Sequence, residues 1–131
     1  MSSNREPAKR FEVGQKAFIE RDGRVLLVFR ENGWLDFPGG RIEEGESDLI
    51  EALKREVREE TTLEIEAGDP VATWLGLGDT VYLVGHRCRY VSGEVQLSDE
   101  HTDHRWVDVD TCREFDDGSV PYAVLRRFLE T

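Results

Sequence analysis

Apolar residues at 11, 13 and 17–19 stand among polar ones in "FEVGQKAFIE" (11–20), and an apolar run follows in "VLLVFR" (25–30). Both segments predict strands, joined by a tight hairpin at Asp22-Gly23. "ENGWLDFPGG" (31–40) carries turn chemistry in Asn32-Gly33 and Pro38-Gly39-Gly40. The period then becomes helical. Asp48 followed by Glu51 forms a capping box, opening a helix that runs to about Thr61 with Leu49, Leu53 and Val57 as its apolar stripe. "GDP" (68–70) breaks the chain, and "VATWL" (71–75) and "TVYLVGHRCRYV" (80–91) read as strands. "SGE" turns into a short strand, "VQL" (95–97), and the polar loop "DEHTDH" (99–104) leads to a strand in "RWVDV" (105–109). "VPYAVLRRFLE" (120–130) reads as an amphipathic helix with Tyr122, Leu125, Phe128 and Leu129 on one side. Strands and helices in mixed order predict a sheet with helices packed on it. Residues 1–10 read as a loosely ordered tail and residues 11–131 as a single domain.

Composition narrows the class. A chain of 131 residues with 38% hydrophobic and 9% aromatic residues suits one globular domain. No apolar run reaches membrane-spanning length, and the polar start "MSSNREPAKR" has no secretory core, so a cytoplasmic address is expected. Cys88 and Cys112 have no metal-like spacing and read as idle thiols in a reducing compartment. The net charge of −11 argues against nucleic-acid and membrane partners. Lysine occurs only at 9, 16 and 54, and the acidic, Lys-poor composition suggests a protein kept soluble in a salty, halophile-type cytoplasm.

That surplus of negative charge makes "KREVREE" (54–60) conspicuous. Such a run is ordinarily a solvated helix face, with pairs at i,i+3 or i,i+4. At about 100° per residue, however, Glu60 projects between Leu49 and Leu53, and Glu56 lies beside Leu49. The ridge 49-53-56-60 faces the core and ends in two carboxylates, with Glu59 flanking Glu56. Lys54, Arg58 and Glu51 occupy the opposite side. Acids clustered at the margin of a core raise one another's pKa unless they are protonated or share a cation. Carboxylates at i and i+4 can converge on one ion at about 2.1 Å, and an all-oxygen set favours Mg²⁺ or Mn²⁺ over zinc. Gly39 and Gly40, just upstream, can offer a carbonyl to an ion or an N–H to a phosphate.

These residues resemble the Nudix box. Gly40, Glu46, Arg55, Glu56, Val57, Glu59, Glu60 and Leu63 follow its order, and "FPGGRIEEGE" and "EHTDHRWVDVD" also look like the family. There are two departures. Eight residues separate Glu46 from Arg55 where the signature has seven, and Thr62 stands where the signature has Gly. The extra residue is expected to be absorbed before Leu49, and Thr62 to resist the left-handed helix end.

The resemblance implies an α/β fold in which a mixed sheet is sandwiched between helices (α/β/α). It also implies a Mg²⁺-dependent (or Mn²⁺-dependent) hydrolase of nucleoside diphosphates linked to another group, with a small nucleotide-type substrate. By position, Glu56, Glu59 and Glu60 would hold metal, Gly39 would lend its carbonyl, and Arg55 would brace Glu56 or pair with Glu46. Glu100, with Asp99 next, would add a carboxylate from beyond the box. Metal-activated water would attack phosphorus in line, with Glu59, Glu100 or Glu56 taking its proton. Arg41 and Arg30 are candidates to meet a phosphate, and Trp34, Trp74 and Tyr82 to stack on a base. Each of these also reads as a surface charge or core aromatic. His101, His104 and Asp103 are better read as an exposed polar loop than as a metal cluster, and His86 as structural. The rival class is a non-catalytic Nudix-fold module that binds a nucleotide. The substrate, the number of metal ions and the oligomeric state, a homodimer included, stay open.

Overall fold

The computed structural model describes residues 6–76 and 78–112. The chain runs β1 (Glu12–Arg21), β2 (Arg24–Phe29), β3 (Leu35–Asp36), β4 (Gly39–Arg41), α1 (Leu49–Thr61), β5 (Glu64–Gly76), β6 (Val81–Ser92), β7 (Asp103–Val107) and a short α2 (Val109–Cys112). The strands form one mixed sheet ordered β3-β2-β1-β6-β5, with β4 also on β1 and β7 on β2. The β1–β6 pair is parallel and the other pairs are antiparallel. The β1–β2 hairpin turns at Asp22 and Gly23, both at positive φ, as the primed turns of hairpins require.

Both faces of the central strands are buried. Phe18, Val25 and Leu27 pack on one side with Leu35, Phe37, Ala72 and Val107. Ala17, Ile19, Leu26 and Val28 pack on the other beneath Leu53 and Val57 of α1. Burial on both faces accounts for the unbroken apolar run in β2. The helix expected over 120–130 lies outside the described residues, so α1 is the layer seen here.

Several elements differ from expectation. "GDP" does not end a strand. β5 continues through it with register shifts at Ala67/Pro70 and Pro70/Ala72, because a bulge accommodates a proline that cannot donate to the ladder. "LEIEA" after α1 supplies the first half of that strand, and the turn-rich 31–40 segment contains β3 and β4. The last strand starts at Asp103 rather than Arg105, and Val109 already belongs to α2.

"VQL" is not a strand. Its side chains alternate as a strand's would, with Val95 and Leu97 against the helix-side core. Its backbone is used elsewhere: the Gln96 N–H donates to Thr61 O at 3.0 Å and the Ser98 N–H to Glu60 O at 3.1 Å. The segment therefore satisfies carbonyls that the end of α1 leaves unpaired.

α1 runs unbroken from its N-cap Asp48, whose side chain accepts from the Glu51 N–H at 3.1 Å. The extra residue of the box is thus taken up ahead of the cap. At the other end Thr62 adopts the left-handed conformation (φ 64°) that the family's glycine would supply, contrary to expectation. Its hydroxyl donates to Glu94 O at 2.5 Å, which offsets the strain of a β-branched residue there. Leu49, expected in the apolar stripe, is 41% exposed and lines the open cleft beside the sheet.

Candidate functional site

The floor of the site is set by a close approach of β4 to β1. A side chain at Gly39 would place its Cβ 2.0 Å from Gln15 O, so only glycine fits that contact. The Gly39 N–H then donates to Glu60 Oε2 at 2.8 Å. At Gly40 the missing Cβ leaves room for the Glu56 carboxyl, whose carbon would lie 2.8 Å from it. The two glycines seat two acids of one helix ridge.

Glu60 is 5% exposed. Its pKa is pushed up to about 8, first by burial, then by a hydrogen bond shared with Glu100 and by Glu100's charge, against the pull of the Gly39 N–H and Lys16. Burial also raises the Glu56 carboxyl. Arg55 opposes that rise, while Glu59, Glu100 and Glu43 add to it. Arg55 is the brace. Its guanidinium reaches Glu46 at 2.9 Å, Glu59 at 3.1 Å and Glu56 at 3.4 Å, so it both steadies Glu56 and pairs with Glu46. Glu46 is in turn held below the usual carboxylate range, first by the Glu43 N–H and then by Arg55.

Glu100 arrives from the loop after "VQL". The Ser98 bond to Glu60 O pins that loop to the end of α1, and the Thr102 N–H to Phe29 O contact ties it to β2. Glu60, Glu100 and His101 consequently bring ligand atoms within 4.8 Å of one another. His101 is therefore not part of an exposed loop. It is 4% exposed, while His104 and Asp103 belong to β7 and stand outside the cluster.

One further residue went unrecognised in the sequence. Asp36 is buried between Leu35 and Phe37 and gathers Lys16 Nζ at 3.0 Å, His101 Nε2 at 3.0 Å, Arg30 at 3.3 Å and the Phe37 N–H at 2.8 Å. Burial alone would raise its pKa, but the His101 bond, the Lys16 charge and the remaining bonds outweigh burial and hold it well below the carboxylate range. The only sequence signal was a lone acid between two apolar residues, masked by the turn residues around it.

One open cleft of about 1810 Å³ is lined by Glu56, Glu59, Glu60, Glu100, Arg55 and Gly39. Arg30, Arg41, Trp34 and Trp74 line it too. Arg30 and Arg41 each already hold an acid, Asp36 and Glu12 respectively. Trp34 is 55% exposed, whereas Trp74 stacks on Phe18 at 6.0 Å. On β6 the residues facing the cleft are Val81 and Leu83. Tyr82, between them, packs its ring 6.0 Å from Phe11. The His86 ring contacts Gly68 O at 3.1 Å beside the β5 bulge.

The donor set fits a hard divalent cation. A buried acid, a second carboxyl and a ring nitrogen of His101 come together there, and His101 Nδ1 has no hydrogen-bond partner among the described residues.

Comparison with known proteins agrees with this geometry. The NUDIX domain family profile matches residues 11–128. The CTP pyrophosphohydrolase of Escherichia coli is 44% identical over 62 residues, 44% of this chain and 45% of that protein. The chain thus spans about half the length of that curated relative. A MutT protein from Methanosarcina mazei superposes with a TM-score of 0.73 at 29% identity, covering 95% of this chain and 94% of that one. An ADP-ribose pyrophosphatase from Streptococcus suis gives 0.74 at 26% identity, covering 91% and 90%.

Proposed function

The chain belongs to the Nudix family, and on that footing we propose that it hydrolyses a pyrophosphate bond in a nucleoside diphosphate linked to another group. The observation that carries this reading is the convergence of Glu56, Glu60 and Glu100 on one cleft, with Arg55 bracing the first of them. Two of the similar proteins, a CTP pyrophosphohydrolase and an ADP-ribose pyrophosphatase, are named for cleaving such bonds.

Glu56, Glu59, Glu60 and Glu100, with Gly39, would hold Mg²⁺ or Mn²⁺, which when bound neutralises phosphate oxygens and lowers the pKa of water. The protein's own residues do the rest. Arg55 keeps Glu56 turned toward the cleft and Glu59 in reach of it. Glu59 and Glu100, both exposed, are placed to take a proton from the attacking water, with Glu56 as the third candidate. Arg30 and Arg41 supply positive charge for phosphate, and Trp34 offers an open ring face for a base.

The test is incubation with nucleoside triphosphates, dinucleoside polyphosphates and nucleotide sugars in the presence of Mg²⁺, with product identification. Turnover that is lost in Glu60→Gln is the expected result. Metal-independent nucleotide binding without turnover would instead make the protein a binding module.

A further inference from the structure

The geometry points to His101 as a nitrogen ligand of the metal site, coordinating through Nδ1 alongside Glu60 and Glu100. This rests on the function proposed above and extends it to a residue outside the acidic helix. Three observations carry it. First, a ring nitrogen of His101 and carboxylate oxygens of Glu60 and Glu100 lie within 4.8 Å of one another, close to the spacing of donors around a single ion. Second, Nδ1 is buried and has no hydrogen-bond partner among the described residues, a costly state for a polar atom that a bound cation would relieve. Third, the other nitrogen is already committed. Nε2 lies 3.0 Å from Asp36 Oδ2, and Asp36 also faces Lys16 and Arg30. An ionised carboxylate can only accept, so the shared hydrogen belongs to Nε2, and Nδ1 is the nitrogen left to face a cation. A carboxylate that orients a metal-bound imidazole through its second nitrogen is a recurrent second-layer arrangement.

A nitrogen donor changes metal choice. Imidazole suits a transition ion better than Mg²⁺, which favours oxygen, so the site should prefer Mn²⁺. The experiment is electron spin-echo envelope modulation of Mn²⁺ bound to protein grown with ¹⁵N-histidine, together with Mn²⁺ and Mg²⁺ titrations. A ¹⁵N coupling is expected in the wild type and not in His101→Gln. Mn²⁺ binding should be weaker by about ten-fold or more in that variant, with a smaller Mn²⁺ preference. His104→Gln should leave both unchanged. Bound Mn²⁺ without ¹⁵N coupling, or with a coupling that survives His101→Gln, overturns the proposal and leaves the hydrolase reading standing. Absence of any Mn²⁺ binding by the wild type overturns both. Should His101→Gln fail to fold, a coupling that persists in both His86→Gln and His104→Gln assigns it to His101, the remaining one of the three histidines, and a coupling lost in either overturns the proposal.

Discussion

At the scale of single residues, Glu60 links stability to pH and metal. Its folded-state pKa of about 8 lies above the ordinary 4.5, so the native protein holds a proton that the unfolded chain releases between those values. Metal-free protein should therefore lose stability as pH rises from about 4.5 to 8, and Glu60→Gln should flatten that slope in denaturant titrations. A divalent ion displaces the proton, so the rise in Tm with Mg²⁺ should be larger at pH 8 than at pH 5. Asp36 has the opposite sign. Its depressed pKa contributes stability that is present above the ordinary carboxylate range and lost as pH falls through it. Asp36→Asn should cost about 3 kcal/mol by urea unfolding, because it strands the poorly exposed Lys16 ammonium. Gly40→Ala directs its Cβ at the end of a flexible Glu56 side chain rather than at backbone. Folding should survive, and kcat/KM should fall by up to about 100-fold as the carboxyl is displaced.

At the scale of elements, α1 shows how a sequence departure is accommodated. Thr62 holds a left-handed backbone at a cost of about 1 kcal/mol and recovers a similar amount through its hydroxyl bond to Glu94 O. Thr62→Val should destabilise by about 1 kcal/mol or more, while Thr62→Gly stays within about 1 kcal/mol of wild type in thermal melts. The register of α1 was legible in the sequence because a helix carries its own period: the wheel placed Glu60 and Glu56 at the core margin, where they are found. The β1–β2 hairpin was legible from its turn pair. What escaped reading depends on partners distant in sequence. Alternation in "VQL" resembled a strand because nothing local reveals that its N–H groups serve the end of α1. "GDP" looked like a stop because proline cannot donate to a strand ladder, and only the pairing with β6 turns it into a bulge. His101 read as exposed because its burial depends on Asp36, 65 residues away.

At the scale of the molecule, the net charge of −11 and the cleft full of acids belong to one electrostatic problem. Self-repulsion at this charge is screened by salt, so Tm should rise from dilute to molar KCl. Equal stability in both would remove the suggestion of a salt-adapted surface. An anionic substrate likewise cannot settle among these carboxylates unless cations lie between them. The claim is tested most directly by anomalous scattering from crystals soaked in Mn²⁺. The account predicts a Mn²⁺ peak bounded by Glu56, Glu60 and Glu100. A cleft without anomalous signal, its carboxyl groups turned out into solvent, would contradict it.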